Sequence, residues 1–317
     1  MITVVIVNWN SGNLLRQCIE DLGKQDLSPG KVLVIDNNSS DGSADFIDNL
    51  TGIELHRLDS NLGFAGGNNY ALELIDTEYV ALLNPDAFPE PDWLQELVSA
   101  AHQYKEAAAF GSRQMLHGSD GLVDGMGDVY HFSGLMWRQG HGFSWQNMDS
   151  APVEIFSPCA GAALYRTDVI KALGGFDEGF FCYVEDVDLG FRLWLAGHKA
   201  MLVPSAVVHH VGSATSGGRH SDFSVYHGHR NLVWAYVKNM PGRLFWLCLP
   251  LHIAMNFLSV LWFILHGQSA VILKAKRDAI YGLPNMWQKR KQIQKDRAVS
   301  VGEIWRILDR RLWPSKR

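Results

Sequence analysis

The sequence has few cysteines, and none is placed for metal or disulfide chemistry. Its 317 residues include 4 cysteines, at positions 18, 159, 182 and 248, with no Cys-x-x-Cys pair. This spacing excludes a zinc-finger pattern and the dense disulfide framework of a small secreted domain. The chain also starts on a strand-like run, 2–7, without the charged start and cleavage site of a signal peptide. We therefore expect a cytoplasmic protein.

Three phosphate-binding patterns are also missing. The glycine-rich segment 63–67 reads Gly-x-x-Gly-Gly, not the Gly-x-Gly-x-x-Gly of dinucleotide-binding folds, and no P-loop lysine motif occurs. The first predicted strand is followed by Asn8-Trp9-Asn10-Ser11-Gly12, which has no cation for a triphosphate. These absences disfavour a dehydrogenase and a P-loop NTPase, and they leave a nucleotidyltransferase only as an alternative.

Charge is divided unevenly along the chain, whose net charge is −5. Residues 1–273 hold 15 Lys and Arg against 29 Asp and Glu, whereas residues 274–317 hold 13 against 4. A basic tail can bind nucleic acid or an anionic membrane surface. Because no nucleic-acid-binding module accompanies the tail, we predict membrane binding and no nucleic-acid partner.

The segment before the basic tail also favours the membrane. Residues 244–265 form a 22-residue apolar stretch, long enough to span a bilayer. Spanning would separate the acidic body from the basic tail, so we predict helices lying in the membrane interface, with a buried helix pair or an oligomer contact as the alternative. The residues predicted to reach this interface are Lys274, Lys276, Arg277, Lys289, Arg290, Lys291 and the tryptophans at 246, 262, 287, 305 and 313.

The first hundred residues alternate short apolar runs with helical patterns. The runs ITVVIVN, KVLVID, IELHRL and YVALLN read as buried strands, and 14–22, 43–49 and 68–75 have helical spacing. This alternation predicts an α/β fold with a Rossmann-like, doubly wound parallel sheet. Ligands of such sheets bind at the carboxyl ends of the strands.

Polar clusters follow all four predicted strands, at 8–10, 36–42, 61–69 and 84–86. Turn chemistry alone accounts for any one of them. Four on one edge of the sheet predict a ligand site. The irregular segment 113–157, rich in Gly, His and Trp, is predicted to bind an acceptor.

The run 174–198 contains the strongest candidate for acid–base chemistry. Asp186 opens a predicted helix among aromatic residues, where a raised pKa would suit a proton acceptor. Asp188 is spaced to pair with Arg192 one helical turn later, so we expect it to be structural.

In order and spacing these segments resemble the family 2 glycosyltransferases. The motifs that carry the resemblance are VIVNWN, VIDNNSSDGS, NLGFAGGNN, LLNPDAFPEPDWL, CAGAALYR and GGFDEGFFCYVEDVDLGFRLWLAGH. Within the family they are most similar to the rhamnosyltransferase-like group of polysaccharide assembly, O-antigen included. The resemblance implies a glycosyltransferase A fold over residues 1–240, inversion at the anomeric carbon, a nucleoside diphosphate sugar donor and a divalent cation, Mg²⁺ or Mn²⁺. Residues 241–317 are then the predicted membrane-association region.

The resemblance also implies roles for single residues. Asp86 takes the second acidic place of the family's Asp-x-Asp motif and Asn84 the first, so the cation would rely on Asp86, phosphate oxygens and water. Asp186 takes the place of the general base. The residues implied to bind the donor are Asn8, Trp9, Asp36, Asn38, Asp41, Gly63, Phe64, Asn68 and Asn84.

A second metal ligand is expected from the segment 207–219. A strand points neighbouring side chains to opposite faces, so only one of His209 and His210 can reach the site. The resemblance favours His210, and a structural histidine is the alternative. Further on, Arg230 and Lys238 either hold the donor's diphosphate by charge-assisted bonds or are charges of a helix surface.

The predicted reaction moves a sugar, by resemblance rhamnose from dTDP-rhamnose, onto a polyprenyl-diphosphate-linked saccharide at the inner face of the cell membrane. UDP and GDP sugars are open alternatives as donors. A non-catalytic glycan-binding or scaffold subunit with the same fold is the alternative from another class.

Overall fold

The computed structural model describes residues 1–119, 121–145, 151–212 and 221–311. Its strands are β1 (Ile2–Asn8), β2 (Lys31–Asp36), β3 (Ile53–Arg57), β4 (Tyr79–Leu83), β5 (Ala87–Pro89), β6 (Ala107–Leu116), β7 (Val123–Gly125), β8 (Asp128–Tyr130), β9 (Met136–Arg138), β10 (Val153–Ile155), β11 (Ala162–Arg166) and β12 (Lys199–His210). Its α-helices are α1 (Leu14–Leu22), α2 (Gly63–Glu73), α3 (Trp93–Gln103), α4 (Thr167–Ala172), α5 (Glu185–Leu195), α6 (Asp222–Asn239), α7 (Gly242–Leu265), α8 (Ser269–Lys295) and α9 (Val301–Ile307).

The first four strands form a parallel sheet with β1 between β2 and β4, and β3 outside β2. Helices cover both faces of this sheet. Val4 and Ile6 of β1 pack in one apolar cluster with α1 and α3, whereas Val5 packs on the opposite face in another cluster with α2, α4 and α5. The predicted doubly wound sheet is confirmed. The segment predicted as a helix at 43–49 forms only a short 3₁₀ turn, Asp45–Asn49.

The second half of the sheet is mixed. Strand β11 lies antiparallel between β4 and β6, and β6 pairs with β12 in parallel. The short strands β5 and β10 lie antiparallel to β12. Parallel neighbours need a long crossover, usually a helix, whereas antiparallel neighbours do not. The antiparallel strands β5, β10 and β11 therefore lack the alternation of strand and helix from which the first four strands were predicted.

The segment 121–138, which has no clear period in the sequence, folds into short strands. β8 and β9 pair as an antiparallel hairpin, and its turn rests on α7. The Nδ1 atom of His252 on α7 lies 2.8 Å from the carbonyl oxygen of Ser133 in that turn. The His252 ring stacks on Tyr236 of α6 with 3.9 Å between ring centroids. The hairpin is thereby fixed to the C-terminal helices.

The C-terminal helices share an apolar cluster with the rest of the chain. This third cluster joins Phe180 and Phe191 to Phe245, Met286 and Ile304. Among the described residues one helix, α7, is long and apolar enough to cross a membrane, with a mean hydropathy of 1.9. Residues on both sides of position 240 build this cluster, so packing does not separate the two predicted regions. The division of function at residue 240 stays a prediction.

Candidate active site

The carboxyl ends of β1 and β2 meet through side chains. Asn8 is fully buried and its amide nitrogen donates hydrogen bonds to Asp36 Oδ1 at 2.8 Å and to Ser43 Oγ at 2.9 Å. A third bond, at 3.0 Å, reaches Ser39 Oγ. Asn8 therefore holds the loop after β2 in place and positions Asp36, itself buried, at the edge of the sheet.

Three further residues that are predicted to bind the sugar donor lie on the outer side of this edge. Trp9 and Asn38 are exposed, and Asn38 has a left-handed backbone with φ of 62°. Asp41 accepts hydrogen bonds from the backbone nitrogens of Gly12, at 2.9 Å, and Ser43, at 3.0 Å. Partial burial opposes ionisation of Asp41, but these bonds lower its pKa below the ordinary value.

The glycine loop is held by a residue that the sequence pattern did not single out. Asn37 donates to the carbonyl oxygen of Gly63 at 3.0 Å and accepts from the backbone nitrogen of Leu62 at 2.8 Å. Gly63 begins α2 with φ of +71°, and a Cβ there would lie 2.4 Å from the carbonyl oxygen of Phe181. Only glycine meets both conditions, so the start of α2 can lie directly against the loop that precedes α5.

Two other members of the glycine loop are placed within protein contacts. The ring of Phe64 packs edge to face on Phe176 with 5.7 Å between centroids. Asn68 is buried and its amide donates to the carbonyl oxygen of Phe64 at 2.9 Å. Their roles toward a donor stay predictions.

At the end of β4, Asp86 lies beside His210 of β12. The Oδ1 atom of Asp86 is 3.3 Å from His210 Nε2, and the Asp86 carbonyl accepts from the backbone nitrogen of Val211 at 3.0 Å. His209 points to the other face, with Nε2 3.0 Å from Glu90 Oε1. The structure thus places His210, not His209, beside Asp86. The remainder of the predicted segment, 213–219, lies outside the described residues.

His210 is fixed from its second nitrogen by Asp124, which sequence analysis missed. His210 Nδ1 is 2.8 Å from Asp124 Oδ2, and Arg138 Nη1 donates to the same oxygen at 2.7 Å. Burial opposes the charge of His210, but Asp124 and Asp86 together raise its pKa to about 9. Burial also disfavours ionisation of Asp124, yet His210 and Arg138 hold the pKa of that carboxyl well below its usual range.

Asp186 lies in the first turn of α5. Its Oδ1 accepts from the backbone nitrogen of Val187 at 2.8 Å and its Oδ2 from that of Ala160 at 3.3 Å. Burial is the main cause that raises the pKa of Asp186, as predicted for a proton acceptor. The loop before this helix has left-handed backbone at Phe181, Tyr183 and Val184, with φ of 65°, 65° and 74°. Such strain concentrates at functional sites.

A second buried carboxyl, Asp128 of β8, accompanies Asp186. Burial first, and then the charge of Asp186, raise the pKa of Asp128 to about 8, so Asp128 is protonated at neutral pH. Arg138 interacts electrostatically with Asp124, Asp128 and Asp186 together. The acids at 124 and 128, separated by glycines, were the only sequence signal for this part of the site.

Asp86 and Asp186 belong to one continuous polar cluster. From Asp86 the cluster runs through His210 and Asp124 to Arg138, which interacts with Asp186. A second connection runs along the backbone: Asp186 accepts from Ala160, and a Cβ at the next residue, Gly161, would lie 2.9 Å from the amide nitrogen of Asn84. The predicted base and the predicted metal ligand are on the same side of the sheet.

The donor atoms near Asp86 fit a divalent cation that keeps other ligands. Among the described residues no group of three or more His, Cys, Asp and Glu side chains is arranged to hold a metal. Asp86 Oδ1 and His210 Nε2 are two adjacent donors, and a carboxylate on the far nitrogen of a ligating histidine is the usual supporting arrangement. Mg²⁺ or Mn²⁺ with phosphate and water oxygens suits this pair.

The two basic residues suggested for the diphosphate are both in protein contacts. Arg230 Nη2 donates to the carbonyl oxygens of Gly179 and Phe180, each at 3.0 Å, and the guanidinium lies over the ring of Trp234. Arg230 thus joins α6 to the loop before α5, and its role toward a donor stays a prediction.

Lys238 is buried between two carboxylates. Its Nζ lies 2.6 Å from Asp177 Oδ2 and 2.8 Å from Asp188 Oδ2. The surface-charge interpretation of Lys238 is wrong, because the side chain is buried. Two of its three ammonium hydrogens are directed to carboxylates, so nothing in the structure supports the diphosphate role. Asp188 pairs with Arg192 at 2.9 Å, which confirms its predicted structural role.

Comparisons with known proteins show the family of the chain. The family model described as Glycosyl transferase family 2 matches residues 3–174. The N-acetylglucosaminyl-diphospho-decaprenol L-rhamnosyltransferase of Mycobacterium tuberculosis is 26% identical over 252 residues, covering 72% of this chain and 81% of that protein. The O-antigen chain rhamnosyltransferase RfbN of Salmonella typhimurium is 25% identical over 232 residues, covering 71% of this chain and 72% of that protein.

The fold is also that of a solved structure, GalNAc-T7 with UDP, GalNAc and Mn²⁺. The two superpose with a TM-score of 0.61 at 16% identity, over 75% of this chain and 48% of that one. This likeness extends to the fold alone.

Proposed function

The chain belongs to glycosyl transferase family 2, in its rhamnosyltransferase-like branch, and from that premise we propose that it is an inverting enzyme of membrane-bound polysaccharide synthesis. The fold is the glycosyltransferase A fold and the protein is a glycosyltransferase. The proposed donor is a nucleoside diphosphate sugar, with dTDP-rhamnose first. The proposed acceptor is a polyprenyl-diphosphate-linked saccharide at the inner face of the cell membrane, as in O-antigen assembly.

The observation that carries the proposal is the cluster that joins Asp186 to Asp86. In the proposed reaction Asp186 accepts the proton of the acceptor hydroxyl, and the oxygen attacks the anomeric carbon from the face opposite the diphosphate. One such displacement inverts the configuration. The raised pKa of Asp186 supports this role, because a stronger base accepts the proton more readily.

Asp86 and His210 are the residues that would hold the cation. A bound Mg²⁺ or Mn²⁺ supplies positive charge that stabilises the leaving diphosphate. Asp124 would orient His210 by its contact with Nδ1, and Arg138 keeps Asp124 ionised.

The loops after β1, β2 and β3 are proposed to hold the nucleotide. Asp36 is the buried carboxylate of that edge and suits a hydrogen bond from the edge of a base. Trp9, exposed beside it, offers a ring for stacking. The other donor contacts proposed from the family pattern are Asn8, Asn38, Asp41, Gly63, Phe64, Asn68 and Asn84. Arg230 is proposed from its charge, as a ligand of the diphosphate.

The C-terminal region, 241–317, is proposed to hold the enzyme at the membrane surface. One side of α7 is buried against the protein through Phe245 and His252. Its other side exposes a set of large apolar residues: Trp246, Leu247, Ile253, Phe257, Leu258, Leu261, Trp262, Ile264 and Leu265. Asn256 Oδ1 of α7 accepts from Lys276 Nζ of α8 at 2.6 Å. A helix with one face on protein and the other apolar and exposed suits the interface better than a span. Trp313 of the predicted boundary set lies outside the described residues.

The test is a transfer assay with the purified full chain and Mg²⁺. dTDP-rhamnose, UDP sugars and GDP sugars are each offered with a synthetic polyprenyl-diphosphate-linked saccharide, and the anomeric configuration of any product is read by NMR. We expect one nucleotide sugar to give a product of inverted configuration, and Asp186→Asn to slow its formation by about 10²- to 10⁴-fold. A retained configuration overturns the mechanism. Donor binding without transfer to any acceptor, unchanged by Asp186→Asn, favours the non-catalytic subunit.

A further inference from the structure

A cavity of about 530 Å³ lies between the start of α7 and the second half of α8, apart from the candidate active site. Its lining contains four cations and two tryptophans: Arg243, Arg290, Lys291, Arg297, Trp246 and Trp287. None of these residues belongs to the polar cluster around Asp86 and Asp186. The cavity therefore needs an explanation of its own.

The positive charge of this cavity is not neutralised by the protein. No acidic residue is among those that line it, and within the described ranges none of the four cations forms an ion pair. Arg290 is buried and donates to the carbonyl oxygens of Val237, at 2.9 Å, and Met240, at 2.5 Å. Burial and the neighbouring charge of Arg297 lower the pKa of Arg290 to about 10. Close cations without a counter-charge form a site for an anion.

One donor in the cavity has no partner. The Nη1 atom of Arg297 is buried and lacks a hydrogen-bond acceptor among the residues that the structure describes. It lies 4.0 Å from the position of a Cβ at Gly242, at the first residue of α7. The positive end of the α7 dipole adds to the same field. A buried guanidinium nitrogen without an acceptor is costly, and a phosphate oxygen would satisfy it.

The surroundings of the cavity identify the kind of anion. Trp246, which lines the cavity, and its chain neighbour Leu247 are 64% and 72% exposed, and further exposed apolar residues of α7 follow them. The rings of Trp246 and Trp287 lie 6.5 Å apart. Cations beside exposed tryptophans and aliphatic side chains match the boundary between phospholipid headgroups and acyl chains.

We propose that this cavity binds the phosphate of an anionic phospholipid headgroup, with Trp246 and Leu247 in the adjacent acyl-chain layer. The site rests on the proposed position of the enzyme at the membrane but not on its catalytic mechanism. The bound phosphate fixes the first turn of α7 to the lipid surface, so that the helix lies along the surface in a single orientation.

The experiment measures binding of the full chain to phosphatidylcholine vesicles with and without phosphatidylglycerol. Arg243→Gln with Lys291→Gln removes two exposed cations of the cavity, and Lys274→Gln with Lys295→Gln removes two exposed cations of α8 that do not line it. Both variants lose the same charge. We expect the cavity variant to lose roughly ten-fold more affinity for phosphatidylglycerol vesicles than the control variant, because charge-assisted hydrogen bonds add to diffuse attraction.

Two arms separate the possible outcomes. If both variants lose the same affinity for phosphatidylglycerol vesicles, the attraction to the surface is diffuse and the proposal of a specific site is overturned. Soluble inorganic phosphate at millimolar concentration is the second probe: if it protects the wild type but not the cavity variant against thermal unfolding while vesicle binding is equal in both, the site serves a free phosphate and the lipid proposal is overturned. Donor hydrolysis in detergent, measured on both variants, should match the wild type, which separates a failure of this site from a failure of catalysis.

Discussion

Asp86 Oδ1 and His210 Nε2 lie 3.3 Å apart, on residues that are 124 positions distant in the chain. Asp86 follows the end of β4, and His210 is the last residue of β12. The two residues are close because β5, which follows Asp86, pairs antiparallel with β12. This pair presents two adjacent donor atoms at the edge of the sheet, and the predictions below test what they and their neighbours do.

Asp86→Asn removes the carboxylate of the pair. We expect the dissociation constant of the nucleotide sugar to rise by roughly ten-fold or more in Mg²⁺, since even residues that only support a metal ligand contribute that much. In EDTA the variant and the wild type should bind the donor equally. Calorimetric titration in both buffers measures this, and an equal loss in both would show that Asp86 acts without a metal.

Asp124→Asn tests the residue behind His210. The substitution keeps the shape but removes the charge that fixes the imidazole, so the Mn²⁺ concentration for half-maximal activity should rise about 10- to 100-fold, with activity recovered at high Mn²⁺. Glu90→Gln, which alters the contact of His209 on the other face, is the control and should leave the Mn²⁺ dependence unchanged. Loss of activity that Mn²⁺ cannot restore would contradict the role.

Asp186→Asn tests the general base. Transfer should slow by about 10²- to 10⁴-fold while the donor dissociation constant stays the same, because the side chain acts only on the acceptor proton. Steady-state rates with a saturating donor and a separate binding titration measure the two effects. Intact transfer together with intact donor binding would show that another group accepts the proton.

Asp128→Asn tests the raised pKa of the second carboxyl. Asp128 titrates near 8 in the folded protein and near 3.8 when unfolded, so folding favours its protonated form and the wild type loses stability as pH rises from about 4 to about 8. The variant should therefore gain stability over the wild type between these values and match it near pH 4. Thermal unfolding midpoints at several pH values measure this.

The matched control for that experiment is Asp188→Asn. Burial disfavours the charge of Asp188, but Lys238 and Arg192 lower its pKa, so this variant should be less stable than the wild type at pH 7 and approach it as pH falls. Variants that shift in the same direction across this range would contradict the assignment of opposite charge states to the two carboxyls.

Leu247→Asp with Phe257→Asp tests the exposed face of α7. Both side chains are exposed, so folding should be unaffected, whereas vesicle flotation should fall by more than ten-fold, because each buried apolar side chain contributes about 1.5–3 kcal/mol. Leu50→Asp, an exposed apolar residue far along the chain from these helices, is the control. Unchanged flotation would place the membrane contact elsewhere. Deletion of the helices is a poorer test, because Phe245 and Met286 complete the third cluster.

The first half of the fold could be predicted from the sequence, because each strand and helix there has its own period. The predicted helix 14–22 and the strands 2–8 and 31–36 have the bounds found in the structure. The same regularity placed Asp36 and Asp86 at one edge. Asp186 could be singled out because it opens a periodic helix among aromatic residues.

The supporting part of the site could not be predicted, because its residues are brought together by tertiary contacts. Asp124 and Arg138 lie on three-residue strands with no period, and their relation to His210 depends on how β7 pairs with β6. Lys238 was misread for a similar reason: nothing in the helical pattern of α6 indicates that Asp177 and Asp188 enclose it.

The contact between Ser133 and His252 joins the β8–β9 hairpin directly to the proposed membrane helix. The hairpin that carries Asp128 at its base stands on α7 at its tip, with no linker between them. If α7 lies at the bilayer, the contacts between this hairpin and α7 set the distance from the lipid to the reacting carboxylates. The enzyme would then select acceptors by the distance between their diphosphate and their terminal sugar.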